Sequence, residues 1–248
     1  MTSHALWWND GGPYRLLHQW MPLRMDFLIR HLPWPKKDLP SPSSLTLIDV
    51  GCGGGLVSFP LARKGWRVWG IDPDPVAIAC AQSHQANAHH FHSASHKACQ
   101  PKTTFDSLQL TYLCQDPVTW EPTEPVNAIV LFEVLEHTPD PSALLVHLMS
   151  WLAPGGVIVG STINQTSWSA LTSITMAQDV LGLVPDNLHT WESFVTPSTI
   201  QSIIQPFTPH PLLTQGCMYY PGLGWQYTSS CQGNYFFVIQ CSHVQALN

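Results

Sequence analysis

A short apolar run that ends in a glycine-rich loop constrains the fold of this chain more than any other feature. The run Leu45–Val50 reads LTLIDV, and GCGGG follows it at 51–55. Uninterrupted aliphatic residues over this length are typical of a buried strand, and a short helical pattern continues through Ala62. A strand, a glycine turn and a helix in this order begin a doubly wound α/β sheet. The sequence therefore predicts a ligand site at the carboxyl end of the first strand.

The same alternation of strand and helix patterns continues along the chain. Further strands are predicted at 66–72, 108–113, 126–132 and 157–163. Helices are predicted at 74–88 and 141–153, the second closed by Pro154, Gly155 and Gly156. The segments 217–222 and 234–241 favour an antiparallel pair at the sheet edge. We expect an α/β fold with a doubly wound, seven-stranded, mostly parallel sheet and an antiparallel edge strand.

Composition excludes some classes of ligand and location. The 248 residues carry a net charge of −6 and only 10% charged side chains, with no basic cluster for phosphates, so we expect no nucleic acid partner. No apolar run is long enough to span a membrane. The seven cysteines lack paired metal-ligand spacing, and the first residues lack a signal-peptide pattern. These features favour a cytoplasmic protein with reduced cysteines.

The glycine loop favours S-adenosylmethionine (SAM) over a dinucleotide. A dinucleotide fingerprint counted from Gly51 would need glycine at position 56, where the chain has Leu56. The pattern present is G-x-G-x-G through Gly51 and Gly53, preceded by Asp49, whose carboxylate suits the ammonium and sulfonium charges of SAM. Asp72 ends the second strand, where an acidic side chain accepts both ribose hydroxyls. Two further polar residues follow the third strand, placed to reach an adenine amino group: Gln115 and Asp116.

A cluster of two carboxylates and an imidazole follows the fourth strand. Glu133, Glu136 and His137 stand at relative positions 0, 3 and 4, which share one face if the segment is helical. In one interpretation they bind a divalent cation, for which the oxygen-rich set favours Mg²⁺ or Mn²⁺ and permits Zn²⁺. In the other they only begin a helix, and His137 or His189 is the general base. Spacing alone leaves both open.

Several segments resemble one family, the ubiquinone biosynthesis O-methyltransferases. DVGCGGG, GIDPD, EVLEHTPDP and LAPGG are similar to segments shared by many class I SAM-dependent methyltransferases. The narrower resemblance lies in WWNDGGPYRLLHQWMPLRMDFL at 7–28, and in 161–169, 184–197 and 233–236. It implies the class I methyltransferase fold and O-methylation of a polyprenylated catechol.

The resemblance also implies roles for single residues. Arg24, Gly51 or Gly53, Asp72 and Phe132 occupy the positions that contact SAM in the family. Glu133, Glu136 and His137 occupy its metal site. We therefore expect SAM, a divalent cation that readies the catechol for attack, and catalytic roles for Glu133 and His137. His189 is a further candidate catalytic residue, as the general base if no metal is bound. Two rival hypotheses are a methyltransferase for another small apolar acceptor and a non-catalytic SAM-binding scaffold.

The chain organisation suggests how a substrate with a polyprenyl tail could be reached. A Pro- and Ser-rich stretch divides an N-terminal helical extension and linker, 1–44, which we expect over the cofactor site, from a methyltransferase domain at 45–248. Trp7, Trp8, Tyr14 and Trp20 either fold over the SAM site or pack on the sheet. The apolar segment 168–184 is either a lid or interfacial helix at the membrane or an ordinary buried helix. We expect peripheral contact with the inner membrane and association with a ubiquinone-synthesis complex.

Overall fold

The computed structural model of the protein describes residues 7–34, 45–91, 108–166 and 194–241. The elements in these ranges are α1 (Arg15–His31), β1 (Thr46–Val50), α2 (Ser58–Arg63), β2 (Arg67–Asp72), α3 (Pro75–Phe91), β3 (Leu110–Cys114), β4 (Val126–Phe132), α4 (Pro141–Ser150), β5 (Leu152–Ile163), α5 (Pro197–Ile204), β6 (Leu213–Tyr220), β7 (Gly224–Thr228) and β8 (Asn234–Gln240). Strands and helices alternate in these ranges up to β5, except that β4 follows β3 without an intervening helix.

One mixed sheet organises the described residues. Its order is β3-β2-β1-β4-β5-β8-β6-β7, and β1 to β5 pair in parallel. β8 pairs antiparallel with both β5 and β6, and β7 pairs antiparallel with β6. The predicted doubly wound fold is confirmed. The described residues form eight strands rather than seven, because the hairpin β6–β7 adds a strand beyond the expected pair.

The strand sequences explain how the sheet is covered. β4 is buried at six of its seven positions, as expected of a parallel strand with helices on both faces. On one face, Leu47 and Val130 pack in a core that also contains Phe27 of α1 and Leu61 of α2. On the other face, a second core joins the sheet to α4 and α5, with members that include Ile48, Leu131, Leu145, Leu148, Ile200 and Ile204. Neighbouring residues of one strand thus supply opposite cores.

The helix predicted from the spacing of Glu133, Glu136 and His137 is wrong. Leu135–His137 form a single 3₁₀ turn, and Glu133 lies before it at a φ of +56°, in the left-handed region. Thr138 is extended, as a residue before a proline prefers, so a helix cannot continue through it. Helix α4 begins later, at Pro141, where Asp140 Oδ1 accepts a hydrogen bond from Ala143 N at 2.9 Å.

The Pro154-Gly155-Gly156 stretch also lies elsewhere than predicted. α4 ends at Ser150, and these three residues lie within the bounds of β5. Val126 of β4 pairs with Leu152, whereas Ala128 pairs with Val157, so the intervening residues bulge out of the ladder. None of the described helices is long and apolar enough to cross a membrane.

Candidate active site

The carboxyl edge of the parallel strands brings most of the predicted site residues together. Gly51 directly follows β1, Asp72 ends β2, Gln115 follows β3, and Glu133 follows β4. The strand order reverses between β1 and β4, and a crevice at such a reversal is where doubly wound sheets bind ligands. Residues far apart in sequence therefore share one edge because parallel strands end at the same side.

The glycine loop is held against the end of β2. The backbone N–H groups of Gly51 and Cys52 both donate to the carbonyl of Ile71, at 2.9 and 3.1 Å. Gly53 N donates to Asp72 Oδ2 at 2.9 Å. Gly51 and Gly53 adopt φ values of +67° and +51°, which residues with a Cβ rarely adopt. The loop and Asp72 thus form one hydrogen-bonded unit.

Gln115 and Asp116 lie beside that unit at the surface. Gln115 N donates to the carbonyl of Asp72 at 3.1 Å, and both side chains are exposed. Asp116 Oδ1 accepts a hydrogen bond from Val118 N at 2.9 Å, which shapes the turn after β3. Their contact with an adenine ring stays a prediction.

Asp49 is buried in the core beneath the predicted cofactor site. Its side chain is 2% exposed, and Ser58 Oγ donates to its Oδ2 at 2.5 Å. Burial raises the pKa of Asp49 to about 7, while the Ser58 hydrogen bond opposes that shift. The residue therefore connects β1 to α2. Its predicted contact with a cationic donor stays a prediction.

Arg24 is a buried cation with unused hydrogen-bond donors. Its side chain is 5% exposed, and its guanidinium lies over the Trp20 ring at 4.1 Å and the Phe132 ring at 5.1 Å. Nη2 is 3.9 Å from Glu133 Oε1. Among the described residues, neither Nε nor Nη2 has a hydrogen-bond partner. Burial lowers the pKa of Arg24, and nearby acidic groups, Glu133 first, oppose this. An anionic ligand group would relieve these buried donors.

Two hydroxyl side chains at the end of β5 position the carboxylates. Ser161 Oγ donates to Glu133 Oε1, and Thr162 Oγ1 donates to Glu136 Oε2, each at 2.8 Å. The prediction from sequence gave no role to either hydroxyl, although polar residues at the end of an otherwise apolar strand were a usable signal.

Glu136 is the more perturbed of the two carboxyl groups. It is 3% exposed, and its Oε1 is buried without a hydrogen-bond partner among the described residues. Burial, followed by the neighbouring charge of Glu133, raises the pKa of Glu136 well above its usual range. A cation at this point would favour the charged carboxylate.

His137 lies at the solvent side of the same turn. Partial burial of the imidazole lowers the pKa of His137, whereas the charge of Glu133 acts in the opposite direction. The imidazole is therefore mostly neutral near pH 7 and can accept a proton. Within the described ranges, no three His, Cys, Asp or Glu side chains are already arranged as a metal site. His189 and the segment 168–184 lie outside the described residues, as does 35–44 of the predicted linker.

The paired tryptophans pack on the glycine loop. Trp8 Nε1 donates to the carbonyl of Gly54 at 2.9 Å. A Cβ added to Gly53 would lie 2.5 Å from Trp7 Cη2, so the Trp7 ring touches the loop directly. Trp20 instead stacks on Trp225 of β7 at 4.0 Å. Trp7 and Trp8 therefore pack on the glycine loop, whereas Trp20 packs on the sheet.

The Glu133–His137 turn also touches the loop. A Cβ added to Gly51 would lie 2.5 Å from Val134 Cγ2. The elements predicted to bind a methyl donor and those predicted to ready an acceptor are thus adjacent.

Comparisons with known proteins find methyltransferases that match most of the chain. Residues 16–207 match the family model described as a methyltransferase domain. The chain is 33% identical over 243 residues to the ubiquinone biosynthesis O-methyltransferase of Methylobacterium nodulans, covering 95% of this chain and 90% of that protein. It is also 33% identical to the human mitochondrial ubiquinone biosynthesis O-methyltransferase, over 96% of this chain and 62% of the human protein.

Solved structures share the fold at lower identity. Magnesium protoporphyrin IX methyltransferase from Synechocystis PCC 6803, crystallised with bound SAH, superposes with a TM-score of 0.58. It is 20% identical, and the match covers 93% of this chain and 86% of that chain. At this identity the likeness shows the fold alone.

Proposed function

Since the chain belongs to the ubiquinone biosynthesis O-methyltransferases and is a SAM-dependent methyltransferase, we propose that its acceptor is a polyprenylated catechol. The observation that carries the proposal is the contact between the glycine loop and the turn that bears Glu133, Glu136 and His137. This contact would place the donor methyl group beside groups able to withdraw a proton from an acceptor hydroxyl.

The donor would be held by three parts of the site. The carboxylate of Asp72, next to the Gly53 N–H, would accept hydrogen bonds from the ribose hydroxyls. The unpartnered N–H groups of Arg24 would bind the donor carboxylate. Phe132, which lies against the Arg24 guanidinium, would supply an apolar wall to the adenosine. Gln115 and Asp116 remain candidates for the adenine amino group.

The acceptor needs its hydroxyl proton removed before it attacks the methyl carbon. In the absence of a bound metal ion, a neutral His137, with Glu133 beside it, suits the role of general base, because imidazole accepts protons near neutral pH. His189 is the second candidate base, and it lies outside the described residues. Ser161 would orient the Glu133 carboxylate for this role through its hydrogen bond.

The donor set at this turn fits a hard divalent cation. Glu136 has a buried oxygen without a partner among the described residues, and its pKa is raised by burial and by the charge of Glu133. Glu133, Glu136 and His137 would hold Mg²⁺, or alternatively Mn²⁺ or Zn²⁺. Such an ion would act as a Lewis acid that lowers the pKa of a catechol hydroxyl. Arg24 already places one positive charge near Glu133, so a metal would share that carboxylate with a guanidinium.

A paired assay tests reaction and metal together. The protein is stripped with a chelator, metal removal is verified, and SAM plus a short-chain prenylated catechol are supplied with and without Mg²⁺. We expect methylated product, detected by mass, to appear only after Mg²⁺ is restored. Unchanged turnover of the verified metal-free protein would refute a role for the metal. A protein that methylates a tail-free hydroxylated acceptor but not the prenylated catechol would refute the polyprenylated acceptor.

Two variants separate chemistry from donor binding. His137→Asn should lower kcat by about 10²-fold or more whether His137 is a metal ligand or the base, with calorimetric SAM affinity retained. Loss of the low-pH limb of the rate profile in this variant would assign His137 as the base. The matched control is His210→Asn, at an exposed histidine outside the site, which should keep the wild-type kcat and the wild-type SAM affinity. An unchanged kcat in the His137 variant would exclude it as the base.

We also propose peripheral membrane contact through 168–184 and association with a ubiquinone-synthesis complex, as the polyprenyl acceptor would require access to a bilayer. Replacing Leu181 and Leu183 with Lys should weaken binding to liposomes while SAM binding persists. Equal liposome binding by that variant would contradict this role.

A further inference from the structure

The tip of the β6–β7 hairpin is an exposed apolar surface at the same edge of the sheet as the active site. We define the hairpin tip as Tyr219, Tyr220 and Leu223 with the turn between them. These side chains are 38%, 40% and 74% exposed, and Leu223 is the most exposed large hydrophobic residue in the described part of the chain. A contiguous exposed apolar patch of a few hundred Å² is often an interaction surface.

The topology fixes the direction in which the tip points. β5 and β6 are both antiparallel to β8, so they run parallel to one another and end at the same edge. Ile163 of β5 and Cys217 of β6 both pair with Asn234, so these two residues lie level. β6 continues for three more residues to Tyr220. The hairpin therefore projects about 10 Å beyond the carboxyl edge, at about 3.4 Å per residue.

A hydrogen-bonded turn joins β6 to β7 at the tip. Leu223 N donates to the carbonyl of Tyr220 at 3.0 Å, closing a four-residue turn. Pro221 and Gly222 occupy its centre, and Gly222 has a φ of +84°, as the third position of a type II turn requires. Gln226 Nε2 donates to the Leu223 carbonyl at 3.0 Å. Both backbone polar groups of Leu223 are thus hydrogen-bonded, while its side chain is exposed.

A short aromatic path connects the tip to the candidate active site. Tyr219 meets Trp225 edge to face at 5.8 Å, and Trp225 stacks on Trp20 at 4.0 Å. The guanidinium of Arg24 lies over that same Trp20 ring. A surface bound by the tip would therefore lie close to the site where the acceptor must enter.

From these observations we propose that the hairpin tip inserts into the interface of a lipid bilayer and turns the active-site edge toward it. Tyrosine rings beside an exposed leucine are typical of side chains that lie at a membrane interface. The chain has no Asp, Glu, Lys or Arg from 193 to its end at 248, so insertion of the tip buries no charge of this region. The role in delivering the acceptor rests on the proposed function, whereas bilayer binding itself does not.

The size and charge of the tip favour a bilayer over a second copy of the chain. Its exposed side-chain area is about 300 Å² at most, since a whole aromatic side chain contributes roughly 150–250 Å². A stable protein interface needs about 800 Å² from each partner. With a net charge of −6 and an uncharged tip, the protein should bind through apolar contact and need no anionic lipid.

The test measures cosedimentation of the full chain with phosphatidylcholine vesicles that contain no acceptor. We expect binding that changes little between 0.1 and 1 M salt. Tyr220→Ser/Leu223→Ser should weaken the partition coefficient about tenfold or more, because the double variant removes most of the exposed apolar area of the tip. The matched control is Leu213→Ser, which changes a 44% exposed leucine at the opposite end of β6 and should bind as wild type.

Each result bears on the proposal. Equal binding by the double variant, no binding by the wild type, or binding that disappears at high salt would overturn it. Concentration-dependent dimerisation that is lost in the double variant would assign the tip to self-association instead. SAM titrations show that each variant is folded. Methylation of a tail-free catechol by the double variant at the wild-type rate, with slower methylation of a vesicle-embedded acceptor, would support the role in delivery. If the wild type methylates neither acceptor, the proposed function fails while the vesicle result still stands.

Discussion

Gly53→Ala tests whether Trp7 packs on the glycine loop. Gly53 has a φ of +51°, and a residue with a Cβ in that region costs about 1–2 kcal/mol. The added Cβ would lie 2.5 Å from Trp7 Cη2 and 2.9 Å from Cζ3, so the ring must move. Trp7 is restrained, because its ring stacks on Tyr14 at 4.1 Å and its carbonyl accepts a hydrogen bond from His18 at 2.8 Å. Overpacking of this kind adds about 1–3 kcal/mol.

The expected loss of unfolding free energy is therefore about 2–5 kcal/mol. Gly155→Ala is the matched control, since Gly155 has a φ of +77° but open space around its would-be Cβ, and it should cost only about 1–2 kcal/mol. In a Trp7→Ala background the cost of Gly53→Ala should fall to that of the control, which gives a coupling energy of about 1–3 kcal/mol. Urea unfolding followed by circular dichroism measures all five proteins. The same cost for Gly53→Ala in both backgrounds would refute the packing of Trp7 on the loop.

The remaining predictions concern three buried polar groups. Arg24→Met should weaken SAM binding by about 30-fold, because it removes a charge-assisted hydrogen bond worth about 2 kcal/mol. The control Arg30→Met, at an exposed arginine, should keep the wild-type affinity measured by calorimetry. Equal affinities in the two variants would exclude Arg24 from the donor site. The pKa of Asp49 rises from 3.8 to about 7 on folding, so the folded state binds this proton more tightly than the unfolded state. The protonated carboxyl therefore contributes fully to the free energy of unfolding below about pH 4. This contribution, up to about 4 kcal/mol, is lost as the pH rises through about 7. Asp49→Asn should flatten that part of the stability-versus-pH curve of the SAM-free protein, and a curve of unchanged slope would show that Asp49 ionises freely. Thr162→Val should lower the free energy of unfolding by about 1–3 kcal/mol, because it leaves the second oxygen of the buried Glu136 without a hydrogen-bond donor. A change below about 0.5 kcal/mol would mean that water donates a hydrogen bond to that oxygen.

The elements that sequence predicted well are those whose patterns depend on local burial. The strand at 126–132 was predicted with the bounds that the structure has, because a parallel strand covered on both faces is almost continuously apolar. The adjacency of Asp72 and the glycine loop also followed from sequence, since parallel strands share a carboxyl edge. Spacing failed at Glu133, Glu136 and His137, where the proline at 139 and the left-handed Glu133 replace the helix by a turn.

By itself, the sequence determined the fold class and the family, because each is recorded in segments of a few consecutive residues. The tertiary structure alone decided the rest. It placed Arg24 beside Glu133, Trp7 on the glycine loop, and Ser161 and Thr162 on the two carboxylates. It also turned the apolar hairpin toward the active-site edge. The physical reason is that these relations join residues up to about a hundred positions apart, and their energy comes from burial and hydrogen bonding across elements, which no local pattern of side chains records.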